Sequence, residues 1–411
     1  MGRQLRKDAE KIYSYAIQAS LPDTAVKNCL SSLAFSQGKI VVISVGKAAW
    51  TMASAALEML GAKIHSGLVI TKYDHSRGSL PGFEIIEAGH PILDENSFRA
   101  TARALELTKD LSPEDTVLFL LSGGGSALFE LSELEIEELQ QINSQLIGSG
   151  ASIQEINTVR KRLSQVKGGR FAQQCAPAKV VGLLLSDVLG NQPDAIASGP
   201  VCTDATTCEQ AIRIVEKYKI RLSPKAEALL HMETPKVLPD VTYYICGDVH
   251  QLCSAAAEAC AQLGYTPMIL TSDLCCEARE AGSFLASIAR SHTEEGKSVA
   301  YIAGGETVVY LTGKGLGGRN QEIALAAAEG IAGLSNVAVF SVGSDGTDGP
   351  TDAAGGYVDG ETKEKLAASG IRISDVLANN DAYHALASCG GLIKTGATGT
   401  NVNDVAVVLI V

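Results

Sequence analysis

The chain has 411 residues, 46% of them hydrophobic, with 41 glycines, 5% aromatics and 19% charged residues. That is core enough for two domains of ordinary size, and it excludes a disordered chain and argues against an all-β sandwich. A net charge of −12 argues against nucleic acid or an anionic membrane as a partner.

The opening MGRQLRKDAEKIYSYAI is charged throughout and lacks a signal-peptide core, and Arg6 stands where a myristoylation signal requires Ser or Thr. No apolar run reaches the roughly 18 residues of a membrane helix. A cytoplasmic protein, monomer or homodimer, is the expectation. The ten cysteines include no CxxC pair, so reduced, mostly buried thiols are expected rather than a zinc site.

Apolar runs of strand length then follow one another: KIVVISVG from Lys39, LVITKY from Leu68, FEIIEAG from Phe83, TVLFLLS from Thr116 and KVVGLLLSD from Lys179. Continuous rather than alternating hydrophobicity implies strands buried on both faces, hence a mainly parallel, Rossmann-like sheet between helices. The stretch from Val188 to Asp240 holds five of the twelve prolines and reads as a long connection with a helix or two.

A second series begins with VTYYICGD from Val241 and continues through TPMILTSD, SVAYIAGGE, TVVYLTG, VAVFSVGSDG and DVAVVLIV. SVAYIA and TVVYLT are separated only by GGE, which is hairpin spacing and predicts an antiparallel pair in a mixed sheet. Two three-layer α/β/α domains result, residues 1–240 and 241–411.

Ligands of open α/β sheets bind beyond the carboxyl ends of strands, so the strand-end loops carry the candidate chemistry. In LSGGGSA, a helix starting near Ser126 would aim its free N–H groups, with those of Ser122 and Gly123 to Gly125, at an anion. SVGKAAW puts Lys47 after a buried strand, placed to balance phosphate oxygens; a solvated lysine is the plainer reading. In EINTVRKRLSQVKGGR, helical spacing gathers Asn157, Arg160, Lys161, Ser164 and Lys167 opposite an apolar stripe, a local positive face in an acidic chain. Gly313, Gly315 and Gly318 spell G-x-G-x-x-G, but no acidic residue closes a strand about 20 residues on, and Arg319 beside them suits a smaller phosphate ligand equally well. Strand-end carboxylates at Asp187, Asp345, Asp348 and Asp352 could hold Mg²⁺ or accept a hydroxyl proton; Asx turns and helix caps are the alternative. His90, in the turn-rich AGHPILDENS, reads as structural. Together these features point to phosphoryl transfer or phosphate-ester chemistry on a small anion.

The motifs VGKAAWTMA, AGHPILDENS, LLSGGGSALFE, INTVRKRLSQVKGGR, LLLSDVLGNQPDAIASGPV, GGETVVYLTGKGLGGRNQE, SVGSDGTDGPTDAAGG and TGATGTNVNDVAVVL cover nearly all of the chain. They resemble the class II glycerate kinases, or glycerate 2-kinases, whose C-terminal part is the MOFRL domain. The resemblance implies two α/β domains with the active site in the cleft between them, and transfer of the γ-phosphoryl group of ATP, with Mg²⁺, to the 2-hydroxyl of D-glycerate in serine, glyoxylate or tartrate carbon metabolism. It associates Lys47 and Arg319 with the active site and matches Asp187 to the SDV aspartate. On those placements, Ser122 to Ser126 and Lys47 hold phosphates, and Arg160 or Arg319, with Asn157, Lys161 and Asn320, holds the substrate. Mg²⁺ lies near Asp187, Asp345 or Asp348. Some family members carry the label hydroxypyruvate reductase, so an NAD(P)H-dependent reductase is the competing activity.

Overall fold

Strands β1 (Ile40–Val45), β2 (Ile64–Lys72), β3 (Phe83–Ala88), β4 (Thr116–Leu121), β5 (Lys179–Leu185) and β6 (Val241–Gly247) form one sheet in the order β3-β2-β1-β4-β5-β6. The structure is a computed structural model and describes residues 2–190, 192–293 and 296–411. Every residue of β1 and β4 is buried, which is why their sequences run apolar without alternation. The pairs β1–β2, β2–β3, β1–β4 and β4–β5 are all parallel. This is the 3-2-1-4-5-6 order of a doubly wound sheet. After β1 the chain moves to one side and after β4 to the other, so the switch point lies between the loops that follow Val45 and Leu121.

By their contacts, residues group into two compact units, Pro22–Cys246 and Met1–Leu21 with Gly247–Val411. The run from Val241, read from sequence as opening the second series, is instead the sixth strand of the first sheet, beside β5. The helix Gly2–Ala19 belongs to the second unit: Tyr265 donates its hydroxyl to Asp8 at 2.9 Å, and Arg6 donates to the Leu392 carbonyl at 3.0 Å. The long connection after Val188 carries two helices, Cys208–Tyr218 and Pro224–Leu230.

The second sheet comprises β7 (Thr266–Leu274), β8 (Val299–Gly305), β9 (Val337–Gly343), β10 (Gly355–Asp359), β11 (Leu392–Ile393) and β12 (Asp404–Ile410), in the order β11-β10-β9-β12-β8-β7. It is mixed, as expected, but not through the expected hairpin. The antiparallel partner of β8 is β12, while TVVYLT forms no strand; there Val308 bridges Glu277 in parallel and donates to the Cys276 carbonyl. Gly304 and Gly305 prolong β8 instead of turning it, and Glu306 donates onward to the Leu274 carbonyl. β12 runs antiparallel to both β8 and β9, so Asp404 faces Gly305 on one side and Gly343 on the other.

The first unit buries charge as well as apolar surface. Arg162 and Asp204, with no side-chain exposure, pair at 2.6 Å. Lys161 reaches Asp204 at 3.2 Å and Asp194 at 3.0 Å, and Lys167 reaches Glu130 at 2.5 Å. Although burial raises it, the Asp204 carboxyl is held far below its ordinary range by Arg162 and Lys161. A depressed carboxylate stabilises the fold fully above its unfolded pKa of about 4, and that contribution is lost as pH falls through the folded value. Asp204→Asn leaves two buried cations short of a partner and should cost about 3–5 kcal/mol at pH 7, read as a lowered Tm. The gap to the unsubstituted protein should narrow below about pH 4; a gap independent of pH would show that the carboxylate charge is not what stabilises this cluster.

Candidate functional site

The loop after β1 and the loop after β4 are joined at the switch point: Lys47 donates its backbone N–H to the Gly123 carbonyl at 2.9 Å. The Ser122 hydroxyl accepts from the Ala48 N–H at 3.1 Å. Ser122 is therefore buried beneath the turn, correcting its expected place among the phosphate-binding groups.

Each of the three glycines has its own reason. A Cβ on Gly123 would come within 2.5 Å of Asp187 Oδ2, and one on Gly125 within 2.7 Å of the Ala197 Cβ. Gly124 has φ +91°, a conformation glycine adopts without steric cost, and a Cβ there would meet the His90 ring at 3.1–3.2 Å and Lys47 Cγ at 3.3 Å. The backbone thus passes close to Asp187 on one side and to His90 and Lys47 on the other. Just past the turn, Phe129 packs with Phe119 and Phe171 at centroid distances of 5.5 and 5.1 Å, which anchors the far end.

The helix after the glycines is one turn, Gly125–Leu128, too short for a macrodipole to accumulate. What the turn could offer an anion is its own amides and nearby cations rather than a helix dipole. Among the described residues, the N–H groups of Gly123, Gly124, Gly125 and Ser126 take no part in the loop's backbone hydrogen bonds.

A cavity of about 520 Å³ opens over this turn, within the range of small-molecule sites. Gly123 to Ser126, His90, Asp187, Asn157 and Arg160 all line it. Arg160 comes from the helix Ile153–Leu163 and donates from Nε to Asn143 Oδ1 at 2.7 Å. That bond restrains the guanidinium, and both residues line the cavity. Burial lowers the Arg160 pKa, while nearby Glu130 opposes the shift. Asn157 accepts from the Ser198 hydroxyl at 3.0 Å. The wall it meets is strained: Ala197 and Ser198 have φ of 49° and 60°, which costs of order 1–3 kcal/mol each.

The predicted basic face does not exist as one surface. Its helix stops at Leu163, and Lys161 is tied to Asp194 and Asp204 away from the cavity. Lys167 is wholly buried against Glu130, and Ser164 accepts from the Val166 and Lys167 N–H groups. Only Asn157 and Arg160 remain at the cavity.

The other candidates lie in the second unit. Arg319 opens the helix Arg319–Gly330 and forks onto Asp404 at 2.6 and 3.2 Å, with Glu306 at 2.8 Å. Burial pushes the Asp404 carboxyl up to about 6, against the pull of Arg319. Asn320 is 1% exposed, and its side-chain oxygen accepts from Ser341. Asp348 accepts the N–H groups of Asn320 and Gln321 at 3.1 and 2.9 Å. It is a helix cap, and burial raises its pKa. Asn320 as a substrate contact and Asp348 as a metal ligand are both corrected by these bonds. Asp345 accepts from the Thr347 N–H at 2.9 Å, an Asx turn. The G-x-G-x-x-G loop donates from Thr312, Gly313, Lys314 and Leu316 to side-chain oxygens of Asn380, Asn379 and Asp381. Those amides are not a pyrophosphate cradle.

Among the described residues, no group of three or more His, Cys, Asp or Glu side chains gathers as a metal site. Among the described residues, no helix is long and apolar enough to cross a membrane. Sequence reasoning missed Asn143, which no spacing marks. It read His90 as structural although the glycine turn packs on its ring.

Residues 8–231 match the family described as a domain of unknown function, DUF4147, and residues 299–404 match the MOFRL family. The chain is 52% identical to a D-glycerate 2-kinase of Thermotoga maritima over 99% of both chains. It is 42% identical to a glycerate 2-kinase of Pyrococcus horikoshii over 91% of this chain and 88% of the relative. A crystal structure of glycerate kinase from Thermotoga maritima superposes with a TM-score of 0.97 at 51% identity, covering 100% of both chains.

Gly123→Ala should displace Asp187 while leaving the core untouched. Binding of inorganic tripolyphosphate, followed by calorimetry, is expected to weaken at least ~10-fold with Tm nearly unchanged. Equal binding by both proteins would separate the glycine turn from the anion site.

Proposed function

The chain belongs to the class II glycerate kinase family, with DUF4147 and MOFRL regions, and we infer that it transfers the γ-phosphoryl group of ATP to the 2-hydroxyl of D-glycerate, giving 2-phosphoglycerate and ADP. The observation that carries the reading is the cavity at the β1/β4 switch point, which an amide turn, a carboxylate and a half-buried guanidinium line together. A phosphoryl-transfer enzyme needs positioning and charge neutralisation more than covalent chemistry.

In this reading the amides of Gly123 to Ser126 and the Lys47 ammonium hold phosphate oxygens, and Arg160, braced by Asn143, takes the glycerate carboxylate in a fork. Asn157 supports the same end of the substrate. Arg319 is assigned to catalysis on the GGRN motif alone. A cytoplasmic setting agrees with ten free cysteines.

The expected places differ in how well their donor sets suit Mg²⁺. Mg²⁺ is usually held by one or two carboxylates with waters and substrate phosphates rather than by a protein cage. Asp187 at the cavity wall fits that pattern; Asp348, saturated by amides, does not. When bound, the ion would neutralise phosphate charge; Asp187 would hold it, and the remaining work belongs to the side chains above.

The reductase alternative would need a pyrophosphate cradle for NAD(P)H. It gains no support from the G-x-G-x-x-G loop, whose amides are bonded internally.

The test is ADP release with ATP, Mg²⁺ and D-glycerate, with ³¹P NMR identifying the phosphorylated hydroxyl. Formation of 2-phosphoglycerate is expected; oxidation of NADH with hydroxypyruvate and no ADP would overturn the reading. Lys47→Ala should lower kcat by ~10³-fold or more with Tm unchanged, and near-normal turnover would remove Lys47 from its role.

A further inference from the structure

Transfer to a hydroxyl requires something to take its proton, and the cavity offers few groups for it. Besides Arg160, its titratable lining side chains are Glu130, Asp187 and His90. Both Glu130 oxygens are engaged, Oε2 by Lys167 at 2.5 Å and Oε1 by the Leu131 N–H at 3.0 Å. Asp187 lies against Gly123 at the phosphate turn, where the functional reading above gives it a different task. His90 is half-buried and presents its Cδ2–Nε2 edge to Gly124, directly beside the amides assigned to phosphate.

We propose that His90 is the general base of the phosphoryl transfer, accepting the proton of the substrate hydroxyl. The inference rests on the kinase reading above. As the hydroxyl O–H bond breaks, its proton passes to an imidazole nitrogen and its electron pair forms the new bond to phosphorus. The bond from phosphorus to the β,γ-bridging oxygen breaks, and that electron pair leaves on ADP. No further reactant is required.

The surroundings favour the neutral, proton-accepting ring. Burial lowers the His90 pKa, and electrostatic repulsion from Lys47 after β1, Lys72 at the end of β2 and His75 in the following loop lowers it further. The other charged side chains that line the cavity are Arg160, Asp187 and Glu130, the last paired with Lys167. A lowered pKa means that His90 is protonated only below its ordinary value of about 6.5. Loss of activity on acidification should therefore lie below that pH.

The test compares the full-length protein with His90→Gln and His90→Asn, each first checked for an unchanged Tm. Expected are a kcat reduced about 10²–10⁴-fold, KM values for ATP and D-glycerate within about threefold, and disappearance of the acidic limb of the kcat–pH profile. A kcat within about tenfold, a persisting acidic limb, or a loss carried by KM would each overturn the assignment. Should neither variant fold, histidine NMR of the unsubstituted protein decides: the His90 titration must coincide with the acidic limb, and a mismatch of more than about half a unit overturns it. Wild-type protein that forms no 2-phosphoglycerate would instead sink the kinase reading; a working wild type with fully active His90 variants would sink this inference alone.

Discussion

The reversal of strand order between β1 and β4 is the constraint from which the cavity follows. Two parallel neighbours send their chains to opposite sides, and the crevice left between them must be floored by loops. Two hydrogen bonds, from the Lys47 N–H to the Gly123 carbonyl and from the Ala48 N–H to the Ser122 hydroxyl, join those loops. Each has a net worth of order 1 kcal/mol, but together they fix the spacing of everything above them. With that spacing set, Gly123 touches Asp187, Gly124 touches His90, and Gly125 closes on Ala197. No side chain larger than hydrogen fits at any of the three without movement of its neighbours.

Electrostatics reinforces this economy. The chain is strongly acidic, and most of the cations around the first unit's helix Ile153–Leu163 are neutralised internally by Asp194, Asp204 and Glu130. What remains in the cavity lining is Arg160, bonded to Asn143, while Lys47 lies beside Gly124 outside that lining. In a chain of net charge −12, a small anion entering the cavity thus meets at least one cation there, Arg160.

The strands of the first sheet were legible because burial on both faces demands uninterrupted apolar residues, and their glycine-rich ends marked the crevice. TVVYLT met the same apolar criterion yet forms no strand, because β12, nearly a hundred residues later, takes the place beside β8. The basic face misled for a related reason: helical spacing located Lys161 and Lys167, but their carboxylate partners lie 30 or more residues away in sequence. Local periodicity reports which face a residue occupies, not what the fold brings against it. Ser122 and Asp348 show the same limit, since a hydroxyl or carboxylate at a strand end serves a turn or a helix cap as readily as a ligand.

The place of β12 in the second sheet bears on how the chain matures on the ribosome. Pro22–Cys246 emerges as one continuous stretch and can close its core while synthesis proceeds. The second unit cannot, because its central strand is Asp404–Ile410 and its first helix is Gly2–Ala19. Leu5, Ala9, Ile12 and Ala16, buried in the folded unit, thus precede the whole of Pro22–Cys246, while the elements that cover them, Val249–Gln262 and Val337–Gly343, follow it. During elongation they form an apolar stripe without a docking partner, the kind of surface that nascent-chain chaperones shield.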